Sequence, residues 1–164
     1  MRHFQFTGIF FAIGHHLIYG LPGLDRHDAV KALTIVGPAD GHQGLGGIVG
    51  QFFDQGLRLT YAFNHSEALR AFKEAARLDP QNAMAYWGWA LVLGPNLTLP
   101  MVPEVAPQAY RAIQKAVSLK GKVSARERAY IEALAKRYTD RSTSERTPFD
   151  RAYARAMAEL VKIY

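Results

Sequence analysis

Residues 53–96 read FDQGLRLTYAFNHSEALRAFKEAARLDPQNAMAYWGWALVLGPN, and their punctuation decides the fold. Phe52, Phe53, Gly56, Leu57, Leu59 and Phe63 recur at helical spacing, so a helix is expected from about Gln51 through Phe63. Asn64 then stands where an N-cap is needed, with Glu67 three residues on, a capping-box arrangement. The next helix is expected to reach Leu78, with Ala68, Leu69, Phe72, Ala75, Ala76 and Leu78 facing inward. Asp79-Pro80 ends it, because the residue before a proline disfavours the helical region. Asn82 can cap a third helix, Ala83–Leu93, stopped by Gly94-Pro95.

Working outward, the same signals continue. Residues 94–106 form a long loop with Pro95, Pro100 and Pro103. Pro107 suits the first turn of a fourth helix to about Leu119, closed by Gly121. Ser124 with Glu127 is a second capping box and opens a fifth helix to about Tyr138. Thr147-Pro148-Phe149-Asp150 reads as N-cap, proline and acid, starting a sixth helix that runs to Tyr164. Toward the N-terminus the text changes. Residues 37–50 (GPADGHQGLGGIVG) read as a flexible glycine-rich loop. Arg2 followed by an apolar run has the outline of a signal peptide, but it lacks an Ala-x-Ala site. The uncharged stretch within residues 1–24 is too patchy for a stable membrane span. The chain therefore divides into a poorly structured leader, residues 1–48, and a helical domain, residues 49–164. The fold class is all-α, with antiparallel helical hairpins stacked in series.

Composition narrows the chemistry. With 164 residues and 49% apolar residues the chain can bury one core. It has no cysteine, which excludes disulfides, thiolate metal sites and a cysteine nucleophile. The net charge of +6 lies wholly in residues 101–164, which carry 13 basic and 7 acidic residues. Such a balance can attract an acidic partner, although interleaved charges usually form solvated helix faces. Nucleic-acid binding is not favoured, since no aromatic interleaving or known motif accompanies the charge. The glycine run misses both phosphate fingerprints: after Gly44 and Gly46 the next required glycine falls on Val49.

A period of 34 residues organises the helices. With Val49 as position 1, Phe52, Gly56, Ala68, Phe72, Ala75 and Pro80 fall on large, small, small, large, small and proline positions. A second unit has Tyr86 and Ala90, then Ala109, Ile113 and Ala116 after the proline-rich loop. A third, looser unit has Tyr130, Leu134 and Ala135, then Ala152, Ala156 and Leu160. These positions resemble the tetratricopeptide (TPR) pattern over residues 51–164. The quoted stretch, with its FNHSEA turn followed by AMAYWG and an asparagine-containing loop, also resembles a group of bacterial TPR-repeat proteins, mostly uncharacterised and often exported in appearance. The resemblance implies a TPR-like α-solenoid of about three helix pairs, and no reaction. It places the chain in a bacterial cytoplasm, or outside it if residues 1–24 act as a signal. Residues 1–48 do not resemble the leader of such proteins, and the chain stops where the next proline is due, so a fragment truncated at the C-terminus is expected.

Candidate site residues follow from a groove lined by the first helix of each pair: Asp54, Arg58, Tyr61, Asn82, Tyr86, Trp89, Arg126 and Tyr130. Arg58 and Arg126 suit a carboxylate through paired hydrogen bonds, and the aromatic residues would anchor a peptide or helix. Tyr86, Trp87 and Trp89 cannot all face one way, so at least one ring lies off the packing seam. The expected function is a noncatalytic protein-interaction scaffold with no cofactor and no bound metal. The alternative is an enzyme or accessory domain with a polar or metal site that uses His65 with Asn64, Asn96 and a carboxylate. A turn role explains Asn64-His65 equally well, and His15, His16 and His42 have no partner at metal-ligand spacing. In the loop Gly94–Pro103, Leu97, Leu99, Met101 and Val102 either form a binding segment or cap a hairpin edge.

Overall fold

The computed structural model describes residues 45–96, 99–140 and 145–164. The expected leader up to residue 44, including His15, His16 and His42, lies outside the described residues, as do Leu97 and Thr98. Among the described residues there are six α-helices and no strand. They are α1 (Leu45–Tyr61), α2 (His65–Leu78), α3 (Ala83–Leu93), α4 (Ala106–Leu119), α5 (Ala125–Ala135) and α6 (Thr147–Ile163). Short 3₁₀ turns at Pro103–Val105 and Lys120–Lys122 flank α4.

The helix starts follow local chemistry. The Asn64 side chain accepts from the Glu67 amide and the Asn82 side chain from the Ala85 amide. Ser124 and Glu127 complete both halves of a capping box, each satisfying a backbone N–H that the first turn would leave unpaired. The turn between α1 and α2 is tight. Phe63 takes φ 59°, its amide donates to Thr60 and the Asn64 amide donates to Leu59. This is a Schellman arrangement with Phe63 where glycine is usual, a strained position for an L side chain.

Several boundaries differ from the sequence reading, among them the end of α1, which falls at Tyr61 rather than Phe63. α1 starts at Leu45, so Leu45–Gly50 are helix rather than loop, and the expected division at residue 48 falls inside α1. Glycines weaken a helix by about 1 kcal/mol each, but Val49 is buried against Ala75, Ala76 and Ala85, and that packing outweighs the local preference. α5 ends at Ala135, not Tyr138, because the chain bends there and sends Arg137 and Tyr138 into the interior. α6 takes Thr147 as its first helical residue, so Arg146 and not Thr147 holds the cap position.

Each helix packs on the next, and α1 and α5 both also reach α3. α3 is therefore central, and its sequence AMAYWGWALVL carries no charge on any side. The small positions work as close-contact points: Ala68, Ala75, Ala90, Ala109 and Ala116 are all fully buried. Gly56 on α1 and Gly88 on α3 both abut the Phe72 ring of α2. No helix among the described residues is long and apolar enough to cross a membrane.

Candidate interaction surface

The expected groove residues differ in exposure and in what they contact. α1 carries Asp54 half-buried, Arg58 exposed and Tyr61 half-buried. α5 carries Arg126 exposed, its guanidinium 5.3 Å from the Tyr164 ring. Among the described residues Asp54, Arg58 and Arg126 take part in no ion pair. Asn82 caps α3 and has its side-chain oxygen committed there. Tyr130 is a correction: only 3% of it is exposed. Its ring meets Trp87 edge-on at 6.0 Å, and its backbone oxygen accepts from the Trp87 indole at 3.2 Å. A residue holding two helices together in this way is not available to a partner.

Electrostatics ties Tyr61, Tyr130 and Tyr153 into one neighbourhood. Burial raises the pKa of all three hydroxyls, each further opposed to ionising by a tyrosine neighbour in the cases of Tyr61 and Tyr130. Burial likewise holds the Tyr138 hydroxyl protonated, and it donates to the Ala90 carbonyl at 2.6 Å. Beside them Arg137, 7% exposed, donates to Asp150 at 2.9 Å and lies 5.0 Å from the Tyr153 ring centre. Arg146 donates to the Arg137 carbonyl at 2.8 Å. These groups knit α5, α6 and α3 together.

Tyr86 and Trp89 point elsewhere. They are half-buried on α3 and stack on one another at 6.2 Å with 17° between planes. Lys73 of α2 lies 4.9 Å from the Trp89 ring, and Lys115 of α4 lies 5.9 Å from the Tyr86 ring. With its amide oxygen turned toward them, Gln108 of α4 accepts from the Trp89 indole at 3.3 Å and from Lys73 at 3.1 Å. Trp87 is buried, so the three rings separate as helical geometry requires. Lys73, Gln108 and Lys115 carried no signal in the sequence, because their roles depend on which helices lie beside α3.

His65 and Asn96, which the sequence reading paired as a candidate polar site, do meet. Asn96 accepts from the Leu99 amide through its oxygen at 3.0 Å, which turns its NH₂ toward His65 Nδ1 at 2.9 Å. Nδ1 is thus the acceptor, and the proton sits on Nε2. Nε2 is buried with no hydrogen-bond partner. Asn64 faces its own helix and takes no part. Among the described residues no group of three His, Asp or Glu side chains could hold a metal. The contact fastens the α1–α2 turn to the α3–α4 loop. In that loop Met101 is buried, while Leu99 and Val102 are exposed.

This geometry has a pH consequence. Burial lowers the His65 pKa below the usual 6.5, partly opposed by the nearby Thr60 backbone. A lowered folded-state pKa means the unfolded chain takes up the proton first, so the stability is complete above the unfolded value and is lost as pH falls below it. Protonation would also set two donors face to face at Nδ1. The melting temperature should fall as the pH drops below about 6.5, and His65→Gln should flatten that part of the profile. An identical profile in the variant would remove His65 as its source.

Comparison with protein-family models finds no match, and comparisons with curated proteins and with solved structures find none either.

Proposed function

We propose that the chain is a noncatalytic interaction scaffold, a TPR-like stack of helical hairpins that holds a peptide or helix of a partner protein. The observation that carries this reading is the pair of exposed guanidiniums, Arg58 on α1 and Arg126 on α5, with no carboxylate partner among the described residues. A planar guanidinium in this state suits a partner's carboxylate through two parallel hydrogen bonds. The burial of Gly56, Ala68, Phe72 and Ala75, the small and large positions of the first repeat, supports the repeat reading. So does the packing of each helix on its sequence neighbour, as a one-dimensional array requires.

The test starts from a partner captured by cross-linking to the full chain in its source cell and identified. Arg58→Ala and Arg126→Ala should each weaken its binding about tenfold, roughly 1.4 kcal/mol. Both side chains are exposed, so neither change should alter folding. Unchanged affinity in the double variant would exclude these arginines as the recognition elements.

A further inference from the structure

The Tyr86–Trp89 face offers a more specific reading, which rests on the interaction function above and narrows it to one strip. Lys73, Trp89, Tyr86 and Lys115 make a continuous row of cation, ring, ring and cation across α2, α3 and α4. We propose that this row is the docking site of an acidic segment of a partner protein, whose carboxylates engage the two ammonium groups while its side chains rest against the half-buried ring pair.

The charge pattern singles the strip out. On α2 the other two cations are neutralised locally: Arg70 pairs with Glu67 at 2.9 Å and Arg77 with Glu74 at 2.7 Å. Lys73 has no carboxylate partner among the described residues. α4 reads APQAYRAIQKAVSL and contains no acidic residue at all. Arg111 falls between Gln108 and Lys115 at helical spacing and adds a third positive charge to that side of α4. Two lysines with no carboxylate partner among the described residues thus flank the ring pair, exposed Arg111 lies on the same side of α4, and the complementary partner is anionic.

The floor also prepares the lysines. An ammonium seated over a ring is held with its long stem extended, and Gln108 fixes Lys73 and Trp89 together. Part of the ordering cost of binding is met before a partner arrives. The same seating argues for carboxylates over nucleic acid. A base needs an open aromatic face to stack on, and here each ring has an ammonium over it and the other ring beside it.

The test uses the full chain and a fluorescein-labelled octaglutamate peptide, followed by anisotropy at low and at physiological salt, with oligothymidylate run in parallel. Octaglutamate should bind, and Lys73→Gln with Lys115→Gln should weaken it by about tenfold or more, while Arg151→Gln with Arg155→Gln, exposed cations of α6, leaves it unchanged. Trp89 emission should shift on binding, and Trp89→Phe should remove that shift. Absence of octaglutamate binding would overturn the proposal. So would binding kept in the lysine variant and lost in Arg58→Gln with Arg126→Gln, although that result leaves the broader interaction reading standing. Tighter, lysine-dependent binding of oligothymidylate would show that the occupant is not an acidic protein segment.

Discussion

Phe72→Ala should lower the unfolding free energy by about 3–5 kcal/mol, read as a shift in the urea midpoint at constant slope. Phe72 is fully buried, and its ring meets Phe53 edge-on at 5.6 Å. It also lies between two glycine backbones. A Cβ added at Gly56 would stand 2.7 Å from its Cε1, and one added at Gly88 would overlap the same ring edge. One side chain of α2 therefore sets the approach of α1 and of α3. Deleting it leaves a cavity that the helices cannot close, because the fully buried Ala68, Ala75 and Ala90 already hold them in contact. Gly88→Ala is the sharper control. Helix propensity alone favours alanine by about 1 kcal/mol, yet the overlap with a ring that has nowhere to go should make the change destabilising by about 1–3 kcal/mol. A stabilised Gly88→Ala protein would mean that the ring does not sit where described.

Asp150→Ala should be the next most damaging change, at about 2–3 kcal/mol. It removes the carboxylate from Arg137, whose side chain is 9% exposed, while Asp150 itself retains 26% exposure. Among the described residues, the orphaned guanidinium would keep the Tyr153 ring as a partner. Water reaching the Asp150 side places the loss at the lower end of the range for buried pairs. Thermal denaturation of Asp150→Ala, Arg137→Met and the double variant separates the pair from its parts. The double variant should recover most of the loss, since an apolar replacement of both partners leaves no buried charge. A loss below about 0.5 kcal/mol in Asp150→Ala would show that the pair is screened by solvent.

The helical class, the three side-chain caps and the inward positions of α2 were legible because each depends on residues within one or two turns of one another. Asn64, Asn82 and Ser124 act on amides three residues ahead. The candidate surface was legible only in part. Arg58 and Arg126 are exposed, but Tyr130, chosen on the same helix-face logic, is buried because Trp87 comes to rest on it. The start of α1 was hidden for a related reason. Gly46, Gly47 and Gly50 read locally as a loop, and the burial of Val49 against α2 and α3 makes them helix.

Spacing and capping chemistry in the chain sufficed for which segments are helices and roughly where they turn, since those preferences are settled over distances of a few residues. Assembly of the helices decided the rest. It brought Asn96 to His65 across 31 residues and Tyr138 to Ala90 across 48. It also set Lys73 and Lys115 over rings borne by a helix that belongs to neither. Contacts of this kind depend on which helix faces which, and that is fixed by the packing of small and large side chains around α3 rather than by any local run of residues.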